Sequence, residues 1–461
     1  MDGGSIPDLI SLTQIPVNYA QRIETDLLEP VVFNQGSATT DGFCRFTLQN
    51  KGFLHSHSKL FLSVEASAGI ADGYFNPATG VGQVIKKAVL KIGNKTLNEV
   101  DTWDGLFAAK SSLIKSENNK EREQYTTGRW NTLGFEYTDS SSVLADALQL
   151  DNGYEYNRGD SLEVPLFAKV DGTAANIESP TFSVDLSDLF PFLKVNQLPL
   201  YMINEPINIE LTFYPTTRER LQVGANSGLG EEVDIIRADL KFCADYVYYG
   251  AGDEMVRYAA ANKDMSFSFV DYRSVESTIT NAAVASGIIR NVGMANRVVP
   301  RIISMMSDTN LSEATLLTAR NAMALNAPAG VIAQDLKYNI RYNDRYEFTS
   351  DVDNTARMFS ILTDSEGVPF LNRSQYSNER AVMSAKVVEG RASAAQTGLD
   401  GHFFYMGTKL TGGRVGQRGV ELHLTGTFPD RVTTGGFVLR NYCEYLRVMQ
   451  LSDGMVSVFN A

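Results

Sequence analysis

The chain has 461 residues, a net charge of −13 and three cysteines far apart in sequence. Its length exceeds what one hydrophobic core supports and implies two domains of roughly 200 residues each. The acidic balance argues against a general nucleic-acid binder, which needs clustered Lys and Arg. Cys44, Cys243 and Cys443 form no CxxC or Cys/His cluster, which argues against a disulfide scaffold and fits a reducing compartment of synthesis.

Residues 1–40 carry little strand patterning and are expected to be an extended arm. The first residues lack a basic n-region and a continuous apolar stretch, so no signal peptide is expected. The longest apolar runs fall short of the ~20 residues of a spanning helix. A strand pair is expected next: Phe43–Leu48 alternates, and after a turn at Gly52 the pattern resumes at Leu60, Leu62 and Val64. Val84–Val100 reads as a hairpin turning at Gly93-Asn94. Asp104–Ser116 has apolar residues at helical spacing, with Asp104 as the expected cap. Further strands are expected at Ser161–Val170 and Thr181–Leu186.

The segment Ser187–Pro215 combines a proline-punctuated apolar loop with a period-two strand. Pro191, Pro199 and Pro206 bar the loop from a central ladder, while Ile207, Ile209, Leu211 and Phe213 share one face. The loop is expected to reach a neighbouring domain or subunit. Ile235–Tyr249 closes the half as a strand, and 250–263 is the expected junction.

The second half repeats this order. Strands are expected at Met265–Val270 and Val298–Met306, and a hairpin over Leu336–Phe348 turns at Asn343-Asp344. A helix follows with Val352, Ala356, Phe359 and Leu362 on one face. The strand Val420–Phe428 repeats the Phe-Pro ending of the earlier one, and Phe437–Leu451 closes the chain. Many strands separated by turns, with no βαβ alternation, give an all-β expectation: two tandem β-sandwich domains, a class that includes jelly rolls. The expected divisions are an N-terminal arm over 1–40, a first sandwich over 41–250 and a second over 251–461.

Chemistry-bearing motifs are sparse. His55 and His57 share a strand face and invite comparison with a metal-binding H-x-H, but the other partners a metal needs are not nearby. Gly412–Gly419 is glycine-rich with two arginines but lacks a Walker arrangement, and a flexible inter-strand loop is the expected reading. The acidic groups Glu231-Glu232-Asp234 and Asp351/Asp353 lack the spacing of a calcium loop. Tyr246–Tyr249 reads equally as an exposed patch or a buried strand end. No catalytic, cofactor-binding or metal residue is assigned.

Three segments carry a family likeness: RFTLQNKGFLHSHSKLFLSVE (Arg45–Glu65), VIKKAVLKIGNKTLNEVDTWDGLFAAKSSL (Val84–Leu113) and LFPFLKVNQLPLYMINEPINIELTF (Leu189–Phe213). The chain resembles the double jelly-roll major capsid proteins of the virophage, polinton and polinton-like virus lineage. The resemblance implies a double jelly roll, two tandem eight-stranded antiparallel jelly-roll β-sandwiches over 41–250 and 251–461 with short helices in loops, and a structural protein rather than an enzyme, without cofactor. It implies a pseudo-hexameric homotrimer tiling the icosahedral shell of a DNA virus. The implied partners are the chain itself, neighbouring capsomers, minor capsid or penton proteins and an internal membrane, with no specific nucleic acid. Its place is the virion, after synthesis in the host cytoplasm or nucleus. The arm Met1–Asn34 would reach under neighbouring capsomers or towards an internal membrane. The alternatives are a glycan-binding tandem sandwich using Trp103 or Trp130, and a cupin-type metalloenzyme built on His55 and His57.

Overall fold

The computed structural model describes residues 20–66, 73–74, 80–115, 119, 122–123, 126–128, 169–170, 181–215, 222–223, 233–249, 264–280, 287–308, 337–353, 355–366, 404–411, 413–425 and 436–461. The first half opens with β1 (Ala20–Leu28), β2 (Val32–Asn34), β3 (Gly42–Leu48), β4 (Phe53–Leu54), β5 (Lys59–Leu62) and β6 (Val64–Ala66). Then come β7 (Gly73–Tyr74), β8 (Ile85–Ile92), β9 (Lys95–Asp101), helix α1 (Trp103–Ile114), β10 (Lys169–Val170) and β11 (Phe182–Asp185). Two one-turn helices, α2 (Leu186–Leu189) and α3 (Phe192–Val195), lead to β12 (Leu198–Pro199) and β13 (Ile207–Phe213). This half ends with β14 (Gln222–Val223), β15 (Val233–Ile235) and β16 (Lys241–Tyr249).

The second half contains β17 (Asp264–Thr280), β18 (Ile288–Gly293), β19 (Arg301–Asp308), β20 (Lys337–Tyr342) and β21 (Arg345–Tyr346). After helix α4 (Thr355–Glu366) follow β22 (Phe404–Lys409), β23 (Val420–Thr425), β24 (Gly436–Ser452) and β25 (Met455–Asn460).

Two main sheets make up each half, and the first half adds two small ones, β10-β7-β14 and β15-β6. In the first, β1 pairs with β16, β16 with the interrupted strand β4/β5, and β4/β5 with β12 and β11. The facing sheet runs β2-β3-β13-β8-β9. In the second half the orders are β17-β24-β19-β22 and β18-β23-β20-β21. Counting the main strands of each half from one to eight, both halves read 1-8-3-6 opposite 2-7-4-5. That is the jelly-roll order, in which the first strand lies beside the last. The all-β, double jelly-roll expectation therefore holds. Its two landmark strands, β13 and β23, occupy the same seventh position.

Alternation explains why these segments are strands. Ile207, Ile209, Leu211 and Phe213 of β13 are buried, as are Val420, Leu422 and Leu424 of β23. Fully burying one such side chain is worth about 1.5–3 kcal/mol. The expected hairpins form: β8 pairs with β9 around Gly93, and β20 with β21 around Asn343 and Asp344, both at positive φ.

Several expectations need correction. Residues 20–34 are not an arm, because β1 and β2 belong to the sheets of the first half. Phe43–Leu48 and Leu60–Val64 do not pair with each other: β3 bonds to β13, whereas β5 bonds to β11 and β16 in the other sheet. Asp104 does not cap α1; Thr102 holds the cap position, and the buried Asp104 accepts a hydrogen bond from Tyr214 Oη at 2.9 Å. Val352 is not helical but bridges to Tyr338, and α4 buries Met358 and Leu362. Most of Ser161–Val170 and all of 250–263 lie outside the described residues.

The halves meet where β17, β24 and β25 cover β9, α1 and the proline-punctuated loop. Asp271 is fully buried and accepts from Asn98 Nδ2 (3.1 Å), Tyr445 Oη (3.0 Å) and Arg447 Nη1 (2.7 Å). Arg447 also donates to the backbone carbonyls of Leu97 (2.7 Å) and Thr96 (3.0 Å) of β9. Phe192 packs edge-on against Phe267 and Phe269, and Asn196 donates to the Ser268 carbonyl at 3.1 Å. Glu205 takes the Val456 backbone N–H at 3.1 Å and pairs with Lys95 at 2.8 Å. The loop thus reaches the neighbouring half, as expected.

Breaking a buried ion pair by deleting one partner costs about 3–5 kcal/mol, since the other charge is stranded. Arg447→Met is therefore expected to destabilise the folded chain by that amount in denaturant titration. An unchanged midpoint and slope would show that Asp271 and Arg447 do not hold the halves together.

Candidate functional site

His55 and His57 lie in the bulge that separates β4 from β5, with ring centroids 5.3 Å apart. The His57 backbone N–H donates to His55 Nδ1 at 3.1 Å, which places the neutral His55 proton on Nε2. The bulge is closed by further bonds. His55 N–H donates to the Asp245 carbonyl (2.9 Å), Ser58 Oγ donates to the His55 carbonyl (2.8 Å), and Ser58 Oγ accepts from the Asp245 N–H (3.0 Å). Asp185 stands 3.8 Å from His57 Nδ1. Among the described residues no three His, Cys, Asp or Glu side chains converge to hold a metal ion. His402 lies outside the described residues. The geometry suits a backbone-locking role for His55.

The loop around 412–419 is pinned at its described positions. Asn343 accepts the Gly416 N–H at 2.6 Å and donates to the Arg414 carbonyl at 3.1 Å, and Arg418 pairs with Asp344 at 2.9 Å. Gly419 sits at φ 76°, and a Cβ there would lie 2.2 Å from the Gly293 carbonyl oxygen. Gly419 serves a close backbone approach, and the expectation of a flexible loop is replaced by a stapled one.

Asp234 accepts from Gln35 at 3.1 Å, and Asp351 accepts from Asn339 at 3.0 Å; Glu231 and Glu232 lie outside the described residues. Trp103 is buried, stacked on Phe107 at 4.7 Å, and donates from Nε1 to the Asp188 carbonyl at 3.0 Å. It offers no platform for a sugar ring. Trp130 lies outside the described residues. Of Tyr246–Tyr249, Tyr246 is fully buried under Lys51, while the hydroxyls of Tyr248 and Tyr249 donate to Glu24 (3.3 Å) and Gln197 (2.9 Å). The buried-strand reading of this motif holds.

What stands out instead is a set of exposed apolar side chains on sheet edges. Ile23 and Leu27 on β1 are 61% and 57% exposed, and Tyr346 on β21 is 51% exposed. Ile23, Thr25 and Leu27 alternate with Glu24 and Asp26, whose carboxylates pair with Lys51. The usual pattern is inverted: the acids are tucked in and the aliphatics face out. Sequence reasoning missed this surface because it lay in the segment taken for an arm. Long edge strands with outward aliphatics pair with something or aggregate.

No protein-family model matches the sequence, and no curated protein matches it. Among solved structures, the chain is similar to the mavirus major capsid protein, with a TM-score of 0.60 at 11% identity over 96% of this chain and 92% of that one. It is similar to a chain of the PBCV-1 virus capsid, with a TM-score of 0.57 at 10% identity over 96% and 98%. A chain of the Sputnik virophage matches with a TM-score of 0.54 at 8% identity over 97% and 90%. The double jelly-roll fold is thus shared along nearly the whole of each chain.

Burial holds His55 below its ordinary pKa, aided by neighbouring His57 and opposed by Asp245. A histidine whose folded pKa is depressed contributes stability above its unfolded value of about 6.5, lost as pH falls through the folded value. Asp188 and Glu205 behave differently. Burial would raise both, but Lys115 and Lys194 at Asp188, and Lys95 and the Val456 N–H at Glu205, outweigh it and lower them. Their stabilisation persists until about pH 4 and is lost below. Thermal unfolding midpoints are expected to drop in two windows on acidification. His55→Gln should flatten the upper window only, and a wild-type curve level between pH 7.5 and 5 would contradict the assignment.

Proposed function

We propose that this chain is a viral major capsid protein that assembles as a pseudo-hexameric homotrimer and tiles the icosahedral shell of a DNA virus. The observation that carries this reading is the pair of jelly rolls with one strand order, locked side by side through a buried polar contact. Two sandwiches of like outline in one chain let three chains occupy a six-fold-like lattice site. The full-length fold shared with the mavirus and PBCV-1 capsid chains supports it.

The role is structural and not enzymatic. The polar side chains described above close loops and join the halves. The sequence divides into a first jelly roll ending near residue 250 and a second from 251 to 461. Residues 1–19 precede β1 and are the remaining part of the expected arm. Its contacts would be neighbouring capsomers or an internal membrane, and minor capsid or penton proteins would complete the shell inside the virion. The glycan-binding alternative loses Trp103, which is buried.

The reading is tested by native mass spectrometry and negative-stain microscopy of the purified full chain. The expected result is a species three times the chain mass, appearing as hexagonal particles or plates. A chain that stays monomeric at high concentration would overturn it.

A further inference from the structure

Three ionisable side chains meet beside helix α1, away from both the seam between the halves and the open edge of β1. Lys115, just past the end of α1, directs its Nζ at Glu123 and at Asp188 Oδ2, the latter at 2.7 Å. The Lys115, Glu123 and Asp188 side chains are only 17%, 4% and 13% exposed. The Phe107 ring centre lies 5.2 Å from the ammonium, so one wall of the cluster is aromatic. On the other side of the carboxylate, Lys194 Nζ stands 3.5 Å from Asp188 Oδ1.

Two members are held from behind. Trp103 Nε1 donates to the Asp188 carbonyl at 3.0 Å. The Glu123 carbonyl accepts from the Thr127 N–H and hydroxyl, both at 2.9 Å, and the Thr127 carbonyl accepts the Val81 N–H at 2.7 Å. The bond from Nζ to Oδ2 puts the nitrogen roughly 3.5 Å from Asp188 Cγ, at the edge of near-attack range. Taking an ammonium and a carboxylate out of water is costly even when they pair, whereas an amide made from the two carries no charge.

We propose that Lys115 and Asp188 join in an intramolecular isopeptide bond, with Glu123 as the proton relay. Glu123 takes a proton from the Lys115 ammonium and hands it to Asp188 Oδ2. The freed amine attacks Cγ, and the displaced electron pair moves onto Oδ1, where the Lys194 ammonium meets the developing charge. Glu123 then takes a second proton from the nitrogen and passes it to the Oδ2 hydroxyl. The C=O to Oδ1 re-forms and Oδ2 leaves as water. Ammonium and carboxylate become amide and water, and Glu123 ends as the carboxylate it began as. The bond spans 73 residues of chain and restricts the unfolded state as a disulfide does. It needs no oxidant, which suits a chain whose three cysteines are free. The ion pairs of Asp188 are the state from which the bond forms; once linked, Asp188 no longer titrates and Glu205 alone carries the acid window.

The test is intact mass spectrometry of the full-length protein, incubated folded and then denatured, followed by tandem mass spectrometry of its digest. The expected wild-type mass falls short of the sequence mass by one water, with a branched peptide joining Lys115 to Asp188. Glu123→Gln cannot take the proton, and Lys115→Arg offers no amine to acylate, so both should keep their full mass. Asp188→Asn should form the same bond with loss of ammonia, so its linked mass should equal that of the linked wild type. Circular dichroism checks that each variant is folded. Wild-type protein at its full sequence mass would overturn the bond and leave the cluster as ion pairs. A mass short by one water without the branched peptide would overturn it too, since a succinimide loses the same water. A linked Glu123→Gln chain would overturn the relay.

Discussion

The arrangement of the two sandwiches depends on one desolvated contact, Asp271 with Arg447. Strand β9 is the edge of its sheet, and an edge presents unpaired carbonyls. Arg447 satisfies two of them, at Thr96 and Leu97, while its charge is met by Asp271. The planar guanidinium can reach three acceptors in fixed directions; a lysine ammonium on a flexible stem would not reproduce that fork. Asp271 in turn is saturated by Asn98, Tyr445 and its own Tyr272 N–H. A buried pair is tolerable only when it is well hydrogen-bonded, and the partners of the Asp271 carboxylate and the two Arg447 Nη groups are drawn from both halves. Nearby, Gly105 leaves room for the Tyr442 hydroxyl, which donates to the Thr102 carbonyl at 2.9 Å. A Cβ at Gly105 would lie 2.1 Å from that oxygen, so the first turn of α1 is fitted to the second half.

Much of the fold was legible because it is written in period two. Ile207–Phe213 and Val420–Thr425 announce themselves as half-buried strands, and the topology puts both in the same place. Gly93 and the Asn343-Asp344 pair announce their turns. What escaped reading had a physical cause in each case. Strand β1 was taken for an arm because its acids, Glu24 and Asp26, are drawn inward by Lys51 and its aliphatics point out. Asp104 looked like a helix cap because caps are acidic, but a tertiary partner, Tyr214, had claimed its carboxylate. The glycine-rich segment near 416 looked mobile because its staple, Asn343, sits about 70 residues away in the chain, beyond any local pattern.

The candidate site was the least legible part, since exposed aliphatics on an edge strand form no motif. Residue types that usually carry chemistry are spent on closure. His55 fixes a bulge, Trp103 fills the floor beneath α1, and Asn339 and Asn343 tie loops to strands. Burial pushes the Cys443 thiol up to about 12 and raises Cys44 as well, which keeps both as inert thiols in the core. Among the described residues, Ile23 and Leu27 on the edge strand β1 stay exposed.

The placement of the first strand beside the last has a consequence for how the chain is made. In each sandwich the closing partner is the eighth main strand, made late: β16 for β1, and β24, followed only by β25, for the full 17-residue length of β17. Pairing across such separations is slow, because loop closure must precede the contacts that reward it. The first sandwich has all its main strands once Tyr249 is synthesised, yet the carbonyls of β9 wait for Arg447, 350 residues further on from Leu97. Through that interval a growing chain carries a formed but uncovered sheet edge. The same contact that joins the halves in the finished molecule thus decides when a nascent one ceases to be adhesive.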